Sequence, residues 1–193
     1  MRVIAGTARG TRLGALKGAS IRPTLDRVKE SFFNKIGQTL EGQTFLDLFS
    51  GTGSMGIEAL SRGAQKVVFV ENNQRAQSLI YSNLERCHFE PDEVDSAEKN
   101  WLLLKTDALH ALSILQEREY RFDIVYVDPP FADDLYVGCL EALARSDLLV
   151  NSSLVVAEHH HKNALQEKYD KLTLQSKRKL GDSCLTYFQL DCG

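Results

Sequence analysis

From residue 44 onward, short apolar runs alternate with segments whose apolar residues recur at helical spacing. The apolar runs predict five strands: Thr44–Phe49, Lys66–Glu71, Trp101–Lys105, Phe122–Asp128 and Ser153–Glu158. Helices are predicted between them, around residues 54–62, 73–87, 107–117 and 134–145. Strands that alternate with helices pair in parallel and carry helices on both faces of the sheet. We therefore expect an α/β fold of the Rossmann-like type.

The end of the chain departs from this alternation. Lys171–Lys179 and Cys184–Leu190 flank a turn that contains glycine, which predicts an antiparallel hairpin at the edge of the sheet. These two strands bring the expected, mostly parallel sheet to seven.

The beginning of the chain also differs. Residues 1–17 alternate and break at glycines, so we expect a small β-hairpin within an N-terminal arm of residues 1–20. The domain proper is expected to span residues 21–193. Its first helix should open at Pro23 and Thr24 and end at Gly37.

Charge is unevenly distributed along the chain. Residues 1–35 contain eight basic and two acidic side chains, a formal charge of +6, whereas the whole chain has −3. A basic segment on an acidic body is typical of proteins that bind nucleic acid through its phosphates. A merely solvated N-terminus explains the same count equally well, so both interpretations stay open.

No segment is long and apolar enough for a membrane helix, and the N-terminus lacks the apolar core of a signal peptide. The four cysteines lie far apart and match no zinc-ligand spacing: Cys87, Cys139, Cys184 and Cys192. Widely spaced cysteines are typical of free thiols in a reducing compartment. We expect a cytoplasmic protein that binds neither a membrane nor a metal ion.

A glycine-rich segment follows the first predicted strand and opens the next helix. Gly51, Gly53 and Gly56 match the G-x-G-x-x-G fingerprint of dinucleotide sites, which alone is a weak signal. Asp47, just before the glycines, would repel a pyrophosphate but suits a cofactor that carries an ammonium and a sulfonium. Glu71 ends the next strand, where a carboxylate can accept hydrogen bonds from both ribose hydroxyls. Together these residues favour S-adenosylmethionine over NAD.

The sequence Asp128-Pro129-Pro130-Phe131 follows the fourth predicted strand, at the sheet edge where open α/β folds bind ligands. Because prolines lack N–H donors, this segment presents acceptors and an aromatic ring, a surface suited to the amino group of a nucleobase. Acceptors that hold the amine hydrogens direct the nitrogen lone pair toward the sulfonium methyl group. Phe131 can stack on the base, which must first be flipped out of structured nucleic acid. These four residues are the predicted catalytic group of an amino-methyltransferase.

Other polar positions near the predicted strand ends are less specific. Asp107 can accept a hydrogen bond from the adenine amine of the cofactor or cap its helix, and the two roles are compatible. Glu158 ends the fifth predicted strand, where it can either lie just behind the site or face solvent, and of the two we expect the surface. Adjacent histidines converge poorly on one ion, so we expect His159, His160 and His161 in a solvated loop rather than a metal site.

At these motifs the chain resembles the RsmD family, the bacterial 16S rRNA guanine-N2 methyltransferases. The resemblance extends over nearly the whole chain. It includes residues 2–6 with Arg9, Gly10 and Leu13, Arg22-Pro23-Thr24 with residues 26–30, Phe33-Asn34, the glycine-rich segment through Gly63, and Asp128–Phe131. The Arg-Pro-Thr segment is more specific than the glycine loop, which many methyltransferases share.

The resemblance implies a class I methyltransferase that uses S-adenosylmethionine and modifies one guanine of 16S rRNA within the small ribosomal subunit or its assembly intermediate. We expect a monomer. Expected cofactor contacts are Asp47, Phe49, Ser50, Gly51, Thr52, Gly53, Gly56, Glu71, Asn72, Asp107 and Ala108. Expected RNA contacts are Arg2, Arg9, Arg12, Arg22, Thr24 and Arg27.

Alternatives from other classes stay open. A DNA adenine-N6 methyltransferase also uses a Pro-Pro-aromatic motif, but such enzymes generally carry a sizeable target-recognition domain, for which this chain has little room. A release-factor glutamine methyltransferase would be expected to have Asn in place of Asp128. A non-catalytic assembly factor that only binds RNA is disfavoured by the two intact motifs.

Overall fold

The computed structural model describes residues 1–15, 26–89, 100–130 and 133–191. The helices are α1 (Asp26–Ile36), α2 (Ser54–Ser61), α3 (Gln74–Arg86), α4 (Ala108–Glu117) and α5 (Asp133–Arg145). The strands are β1 (Thr44–Asp47), β2 (Lys66–Val70), β3 (Trp101–Leu104), β4 (Phe122–Val127), β5 (Leu149–His160), β6 (Lys168–Tyr169), β7 (Leu172–Leu180) and β8 (Ser183–Leu190). No helix among these residues is long and apolar enough to cross a membrane.

All eight strands form one sheet, in the order β3-β2-β1-β4-β5-β8-β7-β6. Strands β1 to β5 pair in parallel, whereas β8, β7 and β6 continue the sheet in antiparallel fashion. The predicted α/β fold with a C-terminal antiparallel hairpin is confirmed. The strand order reverses between β1 and β4, and ligands of open α/β sheets bind in the crevice at the carboxyl ends of such strands.

The sheet has eight strands in the described residues rather than the expected seven. The additional strand is β6, which pairs Lys168 with Thr173 and Tyr169 with Leu172. Two residues are too few to show the alternation that identifies a strand in sequence. Strand β5 is also longer than expected, since it reaches His160.

Successive residues of the strands point to opposite faces of the sheet and contribute to two apolar layers, one on each face. On β1, Phe45 packs with α1 and α2, while Leu46 packs with α4 and α5 on the other face. On α1, Val28 and Phe32 lie one helical turn apart and both are fully buried. The helices therefore pack on both faces of the sheet.

The N-terminal segment folds back on itself, with a single antiparallel bridge between Arg2 and Arg12 where a small hairpin was expected. Hydrogen bonds fasten it to α2. The carboxylate of Glu58 accepts from the backbone N–H of Ile4 at 2.8 Å and of Ala5 at 3.0 Å. The hydroxyl of Ser61 donates to the carbonyl of Ala5 at 2.6 Å.

Glu58 is also the centre of a buried ion cluster. Its side chain is fully buried, with the ammonium of Lys29 3.4 Å from one oxygen and the guanidinium of Arg62 2.9 Å from the other. Lys29 also donates to the carbonyl of Arg2 at 2.6 Å. Burial lowers the pKa of Lys29, and the neighbouring Glu58 opposes that shift. Lys29 is therefore not available to a phosphate, although it contributes to the +6 of residues 1–35.

Candidate active site at the carboxyl edge of the parallel strands

A cleft of about 420 Å³ lies at the carboxyl edge of β1, β2, β4 and β5. Its volume is in the range of small-molecule and cofactor sites. Five carboxylates line it: Asp47, Glu71, Asp107, Asp128 and Glu158. No lysine or arginine is present among the described residues of the lining. The cleft therefore has a negative potential, which favours a cationic ligand over a pyrophosphate.

The glycine-rich loop forms one wall of this cleft. Ser50 ties the loop to the sheet, because its hydroxyl donates to the carbonyl of Asp47 at 2.8 Å and accepts from the N–H of Val70 at 3.0 Å. The loop then turns into α2 through Gly53, whose φ of 77° is left-handed. Glycine adopts this conformation without the strain that a β-carbon would impose.

Nine of the expected cofactor contacts line the cleft: Asp47, Phe49, Ser50, Gly51, Thr52, Glu71, Asn72, Asp107 and Ala108. Gly53 and Gly56 are not part of the lining. A β-carbon on Gly56 would lie 2.2 Å from the ring of Phe69, so this glycine lets α2 pack closely on β2. Gly53 thus serves the turn into α2, and Gly56 serves the packing of α2 on β2.

Asp47 is buried at the end of β1 and only 2% exposed. One carboxylate oxygen accepts from the backbone N–H of Gly56 at 3.0 Å. Burial raises the pKa of Asp47 to about 7; the Gly56 hydrogen bond opposes the shift and the nearby Glu71 adds to it. A cation in the cleft would favour the ionised form.

The raised pKa of Asp47 predicts a pH-dependent stability. A carboxyl group that binds its proton more tightly in the folded state contributes stability below its unfolded pKa, and this contribution is lost as pH rises through the folded value. Replacing Asp47 by asparagine, which keeps an acceptor for Gly56, should remove this loss. Between pH 5 and pH 8 the free energy of unfolding of the variant should rise by about 2 kcal/mol relative to that of the wild type.

Urea unfolding of both proteins at the two pH values measures this difference. Asp147→Asn, an exposed aspartate at the opposite edge of the sheet, is the matched control and should follow the wild type. Parallel pH profiles for Asp47→Asn and the wild type would contradict the prediction.

Glu71 and Asp107 have defined backbone partners beside the loop. Glu71 accepts from the N–H groups of Gly51 and Asn73, each at 2.8 Å. Asp107 caps α4, with its carboxylate accepting from the N–H of His110 at 3.0 Å. Carboxylate oxygens have further lone pairs, so these bonds leave both side chains able to accept from a ligand.

The segment after β4 faces the same cleft. Asp128 is half-buried, Pro129 is buried and Pro130 is exposed, and all three line the cleft. Phe131 lies outside the described residues. The catalytic and cofactor groups predicted from sequence are thus brought together on adjacent strand ends, as far as the structure describes them.

Glu158, which the sequence placed at the surface, is buried and only 6% exposed. Its carboxylate accepts a hydrogen bond from the hydroxyl of Tyr126, and its backbone carbonyl accepts from Tyr136 at 2.6 Å. Burial raises the pKa of Tyr126 well above its usual value, and Glu158 and Asp128 raise it further. The expectation for Glu158 was wrong because its burial depends on two distant tyrosines.

The expectation of a solvated histidine loop was also wrong. His159 and His160 belong to β5, and His159 is buried with Nε2 2.7 Å from the hydroxyl of Thr186. His160 lines the cleft. With His161 and Asp182 it forms a group whose potential ligand atoms lie within 4.8 Å of one another.

Four of the residues expected to contact RNA are exposed: Arg2, Arg9, Arg12 and Arg27. Arg22 and Thr24 lie outside the described residues. The structure adds basic residues that sequence reasoning did not single out. Lys177, Arg178 and Lys179 are exposed on β7, whose end contacts Arg27 through a hydrogen bond to the carbonyl of Leu180 at 2.8 Å.

Comparison with known proteins identifies the family. The family model described as Conserved hypothetical protein 95 matches residues 1–189. The chain belongs to this family, the RsmD family. The resemblance predicted from the motifs is thereby confirmed.

Individual relatives agree with this assignment. Ribosomal RNA small subunit methyltransferase D of Haemophilus influenzae is 35% identical over 160 residues, covering 82% of this chain and 78% of that protein. A conserved hypothetical protein from Streptococcus pyogenes has a similar structure, with a TM-score of 0.73 and 35% identity, over 85% of this chain and 96% of that one.

A more distant neighbour contains a bound ligand. The structure of SMU.776 complexed with SAH has a TM-score of 0.70 and 18% identity, and the match covers 89% of this chain and 50% of that one. At this identity the similarity establishes a shared fold.

Proposed function

We propose that this protein transfers a methyl group from S-adenosylmethionine to the exocyclic N2 amine of one guanine in 16S rRNA, within the small ribosomal subunit or its assembly intermediate. The observation that carries the proposal is the meeting of two groups in one cleft. Asp128 and the two prolines after it face the same space as the glycine loop with Asp47 and Glu71. RsmD family membership supports rRNA as the substrate.

The cleft fits S-adenosylmethionine by charge and by its volume of about 420 Å³. The cofactor carries an ammonium and a sulfonium, and the lining offers five carboxylates with no lysine or arginine among its described residues. Asp47 and the loop would hold its amino-acid part, Glu71 its ribose and Asp107 its adenine. When bound, the cofactor supplies an electrophilic methyl group with a neutral thioether as leaving group.

The residues after β4 act on the amine. A guanine N2 is a poor nucleophile because its lone pair is delocalised into the ring. The Asp128 carboxylate and the carbonyls of the proline pair are acceptors for its two hydrogens, and holding them turns the lone pair out of the plane of the ring. Asp128 also stabilises the positive charge that develops on the nitrogen. The methylated nitrogen then releases one of its hydrogens as a proton to Asp128 or to water, so the arrangement favours amine methylation without a base other than these.

The test is methyl transfer to a defined RNA. Purified protein and S-adenosylmethionine labelled in the methyl group should modify small subunits from a strain that lacks the gene. Mapping should place the label on N2 of one guanine, and subunits from the parent strain should take up little. Cofactor binding without transfer to any RNA would favour the non-catalytic assembly factor. Label on adenine in a parallel reaction with DNA would favour the DNA methyltransferase.

Cofactor affinity should depend on Glu71. Glu71→Ala removes the acceptor proposed for the ribose hydroxyls, and hydrogen bonds to a charged group contribute about 1.5–3 kcal/mol. We expect affinity for S-adenosylmethionine to fall about ten- to hundredfold by titration calorimetry. Glu71→Gln keeps one acceptor, so its affinity for S-adenosylmethionine should fall less than that of Glu71→Ala.

Because Glu71 also holds the N–H groups of Gly51 and Asn73, the unfolding curves of both variants should be recorded with the binding data. Unchanged affinity in a folded Glu71→Ala protein would remove this residue from the cofactor site.

Two basic surfaces support RNA binding. The first is the N-terminal segment, where Arg2 and Arg12 lie opposite each other across a bridge and both are exposed. The second is the α1–β7 surface, defined by Arg27, Lys35, Lys177, Arg178 and Lys179. Lys179 pairs in register with Cys184, next to Ser183 on the cleft lining. This surface is therefore adjacent to the cleft, where RNA phosphates would pass as a base enters.

The α1–β7 surface should contribute to the salt dependence of binding. Lys177 and Lys179 are two residues apart and so share a face of β7. The double variant Lys177→Glu/Lys179→Glu should bind small subunits about tenfold more weakly at 0.1 M salt. Its plot of log affinity against log salt should be shallower by about one to two units.

Arg118→Glu/Arg121→Glu is the matched control, because these arginines are exposed at the opposite edge of the sheet. An equal loss in both double variants would mean that net charge alone matters, and would remove the α1–β7 surface from the RNA interface.

A further inference from the structure

A buried carboxylate, that of Glu158, lies beside the half-buried Asp128 in the cleft. Val127 on β4 pairs with Ala157 on β5 in parallel register, so the next residues along the two strands, Asp128 and Glu158, are neighbours. Both line the cleft. The mechanism above uses Asp128 and leaves Glu158 without a role.

Glu158 is held in a fixed orientation. The hydroxyl of Tyr126 donates to Oε2 of Glu158, and Tyr136 donates to its backbone carbonyl at 2.6 Å. Within the described residues, the bond from Tyr126 is the hydrogen bond that the Glu158 side chain accepts. Oε1 is therefore left as an acceptor in a nearly dry site. A buried charged group of this kind is costly unless it is paired, which points to a ligand with donor groups.

Two adjacent acceptors match the Watson–Crick edge of guanine. Guanine presents the N2 amine next to an N1–H, which are neighbouring donors. Adenine presents its amine next to an N1 that is an acceptor. Enzymes that flip a base read this edge by hydrogen bonds, and a carboxylate facing an acceptor nitrogen would repel it.

We propose that Glu158 is a specificity-determining residue that accepts a hydrogen bond from N1–H of the flipped base while Asp128 holds its N2 amine. The inference rests on the proposed function and deepens it, because it assigns the choice of guanine over adenine to one side chain. Tyr126 acts as a positioning residue that orients the carboxylate.

The test compares bases that differ at N1. Once the target is mapped, small-subunit RNA fragments carry guanine or 2-aminopurine at that position. 2-Aminopurine keeps the amine but has an acceptor at N1. The wild type should methylate guanine at least about a hundredfold faster in single turnover, because a site built to hold a donor rejects an analogue that lacks it. Equal rates on the two bases would overturn the inference without any variant.

Variants then test which side chain determines the preference for guanine over 2-aminopurine. Glu158→Gln keeps an acceptor for Tyr126 and can turn its amide to donate to N1 of 2-aminopurine. It should slow guanine methylation and narrow the preference for guanine at least tenfold, with cofactor affinity unchanged. Tyr126→Phe keeps the carboxylate but removes the hydrogen bond that orients it, so it should reduce the preference for guanine by less than Glu158→Gln does. An unchanged preference in Glu158→Gln would overturn the inference. Failure of the wild type to methylate any guanine would instead refute the proposed function.

Discussion

Asp128→Ala should methylate small subunits at least about a hundredfold more slowly than the wild type in single turnover, with nearly normal affinity for S-adenosylmethionine. The loss is that of one preorganised electrostatic group, which typically changes kcat by about 10² to 10³. The hydrogen bond from the amine strengthens as positive charge grows on the nitrogen. Loss of an interaction made mainly in the transition state lowers kcat rather than affinity.

Asp128→Asn refines this expectation. Because the amide presents a donor toward the amine, the rate should fall below that of the wild type. Because it keeps one acceptor, the rate should fall less than in Asp128→Ala. Phe131→Ala should act differently, since loss of base stacking, about 1–3 kcal/mol per base, weakens capture of the flipped base. Varying the small-subunit concentration separates capture from chemistry.

Asp147→Ala is the matched control, because Asp147 is exposed at the opposite edge of the sheet. It makes the same chemical change at a distance from the cleft and should leave the rate unaltered. Near-normal single-turnover rates for Asp128→Ala would refute the amino-methyltransferase mechanism, although the fold and the family would stand.

Strands β1 to β4 could be predicted to within two residues because each is an apolar run that ends at a polar or turn-forming residue. Strand β5 could not, since Asn151 and Ser152 interrupt its apolar pattern and histidines end it. His159 is buried in that strand through a hydrogen bond to Thr186 on β8. That partner is 27 residues away in the chain, and local periodicity carries no information about it.

The candidate site was largely predictable because parallel strands place their carboxyl ends on one edge. Asp47, Glu71 and Asp128 all follow apolar runs, so their convergence in one cleft follows from topology alone. Glu158 obeys the same rule, yet sequence cannot tell whether a polar residue at a strand end faces a cleft or water. Its burial is decided by Tyr126 and Tyr136.

The basic surface of the folded protein differs from the basic segment of the sequence. The +6 of residues 1–35 treats every basic side chain as exposed, but Lys29 is fully buried against Glu58. Conversely, Lys177, Arg178 and Lys179 lie far from the N-terminus in sequence, but their strand ends at Leu180, whose carbonyl accepts a hydrogen bond from Arg27. A basic surface is therefore a property of the folded chain rather than of one segment.

Glu58→Gln should lower the free energy of unfolding by about 3–5 kcal/mol. Removing one partner of a buried ion pair leaves uncompensated charge inside the protein, here on Lys29 and Arg62 together. The backbone N–H groups of Ile4 and Ala5 would also lose their charged acceptor. Amide hydrogen exchange of those two residues should accelerate, because the N-terminal segment that carries Arg2, Arg9 and Arg12 would detach from α2.

Glu141→Gln is the matched control for this effect. Glu141 forms the same Glu–Arg pair at i, i+4 with Arg145, at 3.3 Å, but their side chains are 41% and 65% exposed. Exposed pairs contribute about 0.2–1 kcal/mol, so this variant should unfold almost like the wild type in urea. Because the chemical change and the spacing are identical, the difference between the two variants measures burial. Equal unfolding curves for Glu58→Gln and Glu141→Gln, with Ile4 and Ala5 still protected from hydrogen exchange, would contradict the prediction. They would mean that apolar contacts hold the N-terminal segment and that the ion cluster contributes no stability.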